Sequence, residues 1–222
     1  MVPASVAEVH AGGNFAAVLA YGNASSYAIG TTTFVCDGRA VGFGHPFEYV
    51  GETSLGANLA DTVYIQPDPI EGPTKVANIG DTIGTVDYDA LTGIAATLGT
   101  APVGMVPVTT TLKGQTGKVY QGSTTVAALD ALDFIAADAL TIDTERALGA
   151  GGKGSANVTF TIKGKRANGS AFTLTRSDKF VSTSDLPYEL SNTLFTLISA
   201  VRDQELEDVT LTSVAVNGSV TR

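Results

Sequence analysis

The sequence predicts a mainly β protein with an α+β C-terminal part. We expect a barrel-like β domain over residues 1–116, followed by a helix–hairpin–helix–strand module over residues 117–222. In the first part, short apolar runs are separated by glycine and by turn residues, a spacing typical of β-barrels and sandwiches. In the second part, apolar residues recur twice at helical spacing. Whether the two parts pack as one unit is left open.

The first hairpin is the clearest element of the N-terminal part. Asp37-Gly38 separates the strand-like runs Thr31–Cys36 and Arg39–Phe43, and Asp-Gly in this position is a strong turn signal. The Pro-rich segment Gln66–Pro73 is predicted to be an exposed loop. The other strands predicted here are Phe15–Ala20, Tyr27–Phe34, Thr62–Ile65, Thr74–Asn78, Thr82–Val86, Gly93–Leu98 and Val106–Leu112.

A helix is predicted to open the C-terminal module, with Ser123 as its N-cap. Three aspartates fall on the opposite side from its apolar residues, which is typical of a solvated helix face. These are Asp130, Asp133 and Asp138. The apolar stripe consists of Val126, Leu129, Leu132, Ile135, Ala136 and Ala139.

A hairpin, a second helix and a final strand are predicted to follow. Asn168-Gly169 is expected to turn the chain between two alternating strands. Ser184 or Asp185 is expected to cap the second helix, with Pro187 in its first turn. The last strand is predicted over Val209–Val216. The predicted core residues are Val158, Phe160 and Ile162 of the hairpin and Leu190, Leu194, Leu197, Ile198 and Val201 of the helix.

Composition excludes several classes of partner. Of the 222 residues 44% are hydrophobic and 16% charged, as in a globular protein, and the net charge of −9 argues against binding nucleic acid or an anionic membrane. No apolar run has the length of a membrane span. A single cysteine excludes an internal disulfide.

The location is predicted to be extracellular or at the cell envelope. Richness in Ala, Gly, Thr, Val and Asp favours an exported bacterial protein. No signal peptide is visible, and Met1-Val2-Pro3 is interpreted as a boundary left after its removal.

His45 is the candidate catalytic residue. It lies in the segment Gly42–Phe47, with the sequence Gly-Phe-Gly-His-Pro-Phe, at the end of the second hairpin strand. Histidine exchanges protons near neutral pH, and a rigid turn provides the geometry that a general base requires. The alternative is that His45 is a hydrogen-bonded turn histidine with no catalytic role.

The segment around His45 resembles the SpoIVB-type serine peptidase family. The resemblance is carried by Ile29–Phe34, by Gly44-His45-Pro46 and by the glycine-punctuated blocks Gly80–Val86 and Gly93–Leu98, and it covers roughly residues 13–112. It implies a chymotrypsin-like fold with His45 as the catalytic base, acting on a polypeptide. It also implies a later serine in a motif like Gly-Met-Ser-Gly-Ser-Pro, which this sequence lacks.

Candidates for the nucleophile and for the orienting acid remain open. Ser54 lies between glycines nine residues after His45, and Ser182 and Ser184 lie nearer the expected position. Cys36 is unsuited, because the strand that follows its turn separates it from His45. The acids that flank predicted strands are Asp61, Asp81, Asp87 and Asp89.

The sequence predicts no cofactor, metal or phosphate site. His10 and His45 are far apart, and Gly12-Gly13 lacks the context of a nucleotide-binding loop. Two hypotheses follow: a family member without a complete triad that acts as a binding or scaffold module, with a protein partner, or an active serine endopeptidase that uses His45 as general base. The oligomeric state is not predicted.

Overall fold

The computed structural model describes residues 6–70 and 72–222. Of these residues 54% lie in strands and 19% in helices, so the mainly β prediction is confirmed. The chain divides into two compact units. The first consists of the chain up to Leu19 together with Ser26–Gly104, and the second of Ala20–Ser25 together with Met105–Arg222.

The first unit is built from antiparallel strands. A 3₁₀ turn, Val6–Glu8, precedes them. The strands run in the order β1-β2-β3-β6-β5-β4, and β4 also pairs with β1 through Ala16–Val18, so the six strands close into a ring. Their bounds are β1 Asn14–Gly22, β2 Ser26–Cys36, β3 Arg39–Gly42, β4 Gly51–Gln66, β5 Thr74–Ala90 and β6 Gly93–Leu98.

The core of the first unit is formed by a few large side chains among many small ones. Phe15, Ile83 and Ile94 are fully buried, and so are the small residues Ala16, Ala17 and Ala57. Each large side chain contributes about 1.5–3 kcal/mol through its burial.

Two strands are longer than the sequence predicts. Thr62–Ile65 is only the distal end of β4, and Thr74–Asn78 and Thr82–Val86 belong to one strand, β5. Glycine suggested breaks here, but the β4–β5 ladder continues through several register shifts, including two between Ala57 and Ala60. Glycine inside a strand often marks a bulge rather than an end.

The second unit is a sheet with two helices. The strand order is β10-β9-β11-β7-β8, followed by Ala20–Gly22 of β1, and only the β11–β7 pair is parallel. The helices contact each other, and α1 also packs on β7 and β8. The elements are β7 Val106–Lys113, β8 Val119–Val126, α1 Leu132–Leu148, β9 Gly154–Arg166, β10 Ala171–Ser182, α2 Leu186–Arg202 and β11 Val209–Thr221.

The predicted start of the first helix is wrong. Ser123 and Val126 lie in β8, paired with β7, and α1 begins at Leu132 after the 3₁₀ turn Leu129–Ala131 without a side-chain cap. An apolar residue such as Val126 fits a strand as well as a helix when only its spacing is considered. Asp133 was expected to be solvated but is buried, and it pairs with Arg202 at 2.9 Å.

The β9–β10 hairpin, α2 and the last strand form where the sequence predicts them, but Leu197 and Val201 are only half-buried and Leu129 is exposed. Asp185 caps α2 by accepting a hydrogen bond from the Tyr188 N–H at 3.1 Å. Gly169 has a φ of +81° in the β9–β10 turn, a conformation that glycine adopts without strain. The last strand continues to Thr221. Among the described residues no helix is both long and apolar enough to cross a membrane.

Candidate functional site

The His45 segment is a loop between β3 and β4 whose backbone leaves the sheet abruptly. Phe43 and Gly44 have φ values of +73° and +76°, so the chain turns away directly after Gly42. A positive φ at phenylalanine is uncommon and requires support from the surrounding structure. Tyr49, near the end of the loop, has a φ of +57°.

Asp89 holds the second half of this loop, including Tyr49. Its carboxylate is 1% exposed, and it accepts hydrogen bonds from the backbone N–H groups of Phe47 at 2.9 Å, Glu48 at 2.6 Å and Tyr49 at 2.7 Å. Asp89 belongs to β5, where it pairs with Gly51 and Ile94. Of the four candidate acids it is the one bound to the loop, and both of its oxygens are occupied by backbone donors.

The imidazole of His45 is exposed, and its Nδ1 lies 2.7 Å from the Pro46 carbonyl oxygen. Because a carbonyl oxygen only accepts, Nδ1 carries the proton in this contact, and Nε2 of the neutral ring keeps a lone pair. The Phe43 ring lies beside it, with a centroid separation of 5.7 Å. A backbone carbonyl instead of a carboxylate therefore orients the ring.

No nucleophile is joined to this base in the described part of the first unit. Ser54 Oγ accepts a hydrogen bond from the Val103 N–H at 2.9 Å. Cys36 is exposed and pairs with Arg39 beside the turn, at the other end of β3 from Gly42. The described hydrogen bonds of this unit join no serine, threonine or cysteine side chain to the His45 ring.

The two serines of the second unit have local structural roles. Ser182 is buried, and its hydroxyl accepts hydrogen bonds from the Ser184 N–H at 3.3 Å and the Asp185 N–H at 3.0 Å. These bonds shape the approach to α2. The assignment of His45 as a catalytic base stays a prediction.

The other candidate acids are engaged elsewhere or exposed. Asp87 pairs with the Arg39 guanidinium at 2.5 and 2.9 Å and accepts a hydrogen bond from the Thr97 hydroxyl at 2.5 Å. Asp61 and Asp81 are exposed. His10 lines a cavity of about 560 Å³ that Asp61 also lines, and its Nδ1 contacts the Glu8 carbonyl oxygen at 2.9 Å.

A groove of about 680 Å³ lies beside Phe43, and no sequence pattern indicates it. Its walls are Tyr27–Thr31 of β2, Phe43, and Pro73–Ala77 at the start of β5. The Phe43 ring occupies the space above Gly30, where a Cβ would lie 2.2 Å from its Cδ1. Phe43 is thus a wall of the groove and also the ring neighbour of His45.

Lys75 fixes the shape of the groove. Its ammonium donates to Thr31 Oγ1 at 2.6 Å, Asn14 Oδ1 at 3.2 Å and the Gly30 carbonyl at 3.4 Å. A lysine ammonium has three donors, so this set of acceptors occupies it. The lysine therefore ties β5 to the neighbouring strands and leaves no donor for an anionic ligand.

The groove also lies along a strand edge that β3 does not cover. The β2–β3 ladder runs over Thr32–Cys36, and the Phe43 N–H donates to the Thr31 carbonyl at 3.0 Å where the chain turns away. Tyr27–Gly30 extend beyond that ladder. An extended peptide placed there would continue the sheet in the position that β3 leaves.

A metal centre is not indicated. In the described ranges, no group of three or more His, Cys, Asp or Glu side chains is placed to hold a metal ion.

Comparison with protein-family models, curated proteins and solved structures finds no significant match.

Proposed function

We propose that this chain is an exported SpoIVB-like domain that binds an extended polypeptide in the groove beside Phe43 and does not cleave it. The observation that carries the proposal is the presence of a built groove beside a His45 ring to which no hydroxyl or thiol is bonded among the described residues of the first unit. A serine hydrolase requires the nucleophile within hydrogen-bond reach of its base.

The groove suits a polypeptide better than a small charged ligand. Its volume lies within the range typical of ligand sites. One wall is an extended strand, which offers main-chain hydrogen bonds independent of the ligand's sequence. Tyr27, Phe43 and Val76 supply apolar contact, and Lys75 is already paired. We therefore infer that the preferred ligand is an extended, apolar, uncharged segment.

The chymotrypsin-like fold is the finer proposal about the first unit. Support comes from the closed antiparallel ring of six strands and from the position of His45 directly after β3. Small closed antiparallel sheets of this kind hold loops rigidly at their ends. The fold and the family are proposed together, since both depend on the same motif.

Replacement of Tyr27 tests the binding proposal. Tyr27 is 39% exposed and lines the groove. We expect Tyr27→Ala to weaken binding of a peptide selected from a random decapeptide library by about tenfold, the loss typical of one aromatic contact. Fluorescence polarisation with the labelled peptide measures this.

Tyr188→Ala is the matched control, because Tyr188 is 63% exposed on α2 and does not line the groove. Its peptide affinity should equal that of the unmodified chain. Equal effects of the two substitutions, or selection of no peptide, would remove the support for this groove.

The second candidate function is an active serine endopeptidase. The Nδ1 contact of His45 favours it, because it leaves Nε2 as the ring nitrogen that can accept a proton when the ring is neutral. Labelling by a fluorophosphonate probe that disappears in His45→Ala would establish it and overturn the non-catalytic proposal.

A further inference from the structure

The outer edge of β10 is the most unusual surface of the second unit. This strand has 12 residues and pairs with β9 along its whole length without a register shift. Within residues 6–70 and 72–222, no strand pairs with its other edge. It contains no proline and only one lysine, Lys179, although proline, bulges and lysines normally protect long edges in monomers.

The turn before β10 determines which backbone groups face outward. The Arg166 N–H donates to the Ser170 carbonyl at 2.9 Å, so residues 166 and 170 form a hydrogen-bonded pair. Such pairs alternate along an antiparallel ladder, which directs the even-numbered residues of β10 toward β9. The outward N–H and C=O groups belong to Ala171, Thr173, Thr175, Ser177, Lys179 and Val181.

The side chains of this strand are complementary to a second copy of the same strand. In an antiparallel pair with a twofold axis at Ser177, Arg176 lies opposite Asp178 of the second copy. Leu174, 38% exposed, then lies opposite Phe180 of the second copy, which is half-buried. Residues of opposite charge that face each other across two strands stabilise a sheet, and so do facing apolar residues, whereas facing residues of like charge destabilise it.

Neighbouring registers lack this match. A symmetric pair centred on Arg176 or on Asp178 would place that residue opposite the same charge of the second copy. A twofold axis at Thr175 would place Arg176 opposite Leu174, and an axis at Lys179 would place Asp178 opposite Phe180. Ser177 is the centre at which charge meets opposite charge and apolar residue meets apolar residue.

We propose that two copies of this chain associate through antiparallel pairing of β10 with β10 about a twofold axis at Ser177. Hydrogen bonds then join Ser177 to Ser177, Thr175 to Lys179 and Thr173 to Val181 across the axis. Arg176 and Asp178, which already contact each other at 2.5 Å within one chain, form an alternating cluster with the same two residues of the second copy. This proposal does not depend on the groove of the first unit.

Charge reversal on β10 tests the proposal. By sedimentation velocity of the full chain, up to about 100 µM, we expect a dimer. Arg176→Asp should raise the dimer dissociation constant at least about tenfold, since it places like charges opposite each other. Asp178→Arg should do the same. The double variant R176D/D178R restores opposite charges across the axis and should restore the dimer.

Two further variants separate the interface from general effects. Lys165→Asp on the interior strand β9 changes the net charge by the same amount as Arg176→Asp and should leave the dimer intact. Ser177→Pro removes the outward N–H at the axis and should abolish dimerisation. A monomer at every concentration, a dimer indifferent to these β10 variants, or a double variant that stays monomeric would overturn the proposal.

Discussion

The carboxylate of Asp89 shows how one side chain can fix a loop without touching the side chain of interest. It is buried and accepts three backbone N–H groups from Phe47–Tyr49, so it holds the main chain on which His45 is carried. The sequence placed Asp89 among four equivalent acids. The choice between them could not be made from sequence, because it depends on a contact between residues about forty positions apart.

Asp89→Asn tests this role. The amide keeps one acceptor oxygen and turns the other position into a donor that faces N–H groups. We expect a loss of about 2–4 kcal/mol in the free energy of unfolding, the scale of a few lost hydrogen bonds to a charged group. Urea denaturation monitored by circular dichroism measures this.

The control for that substitution is Asp81→Asn, since Asp81 is exposed on the same strand. Its stability should lie within about 0.5 kcal/mol of the unmodified chain. If both variants lose the same free energy of unfolding, the loss arises from any substitution on β5, and Asp89 has no special role in the loop.

At the scale of elements, the sequence predicts well those strands and helices whose apolar residues recur regularly, and it predicts long-range polar contacts poorly. The β9–β10 hairpin and the buried stripe of α2 follow directly from period-two and helical spacing. The predicted start of α1 lies too early in the sequence, because Val126 fits the period-two spacing of a strand as well as the spacing of a helix. Of the three aspartates expected to be solvated, Asp133 is buried and bonds to Ser199 and Arg202 of α2.

Asp143 is the main polar connection between α1 and the sheet. It accepts hydrogen bonds from the Thr110 hydroxyl at 2.6 Å and the Asn23 amide at 2.8 Å, and it pairs with Arg146 at 2.9 Å. Gly122 makes room for it, because a Cβ there would overlap the Asp143 carboxylate. A glycine in the middle of β8 is the one sequence signal of this close approach.

Asp143→Ala is expected to lower the free energy of unfolding by about 2–4 kcal/mol, because buried donors lose their acceptor. Thermal and urea unfolding measure the change. Asp138→Ala, on the exposed side of the same helix, should change it by less than about 1 kcal/mol. Equal losses would show that helix propensity and not the Asp143 contacts determines the result.

At the scale of the whole molecule, the coarse architecture was predictable and the groove was not. Turn residues and hydrophobic periods indicated a β-rich first part and a helix-containing second part. The groove arises where β2 extends beyond β3 and where Phe43 turns over Gly30. Both features depend on strand lengths and on one positive φ, which local sequence patterns do not specify.

The most direct measurement of the central claim is mass spectrometry of a random decapeptide library after incubation with the chain. We expect that peptides are captured intact, that capture falls in Tyr27→Ala, and that His45→Ala captures the same peptides as the unmodified chain. Cleaved peptides whose formation stops in His45→Ala would contradict the account, because His45 would then act as the base of an active peptidase.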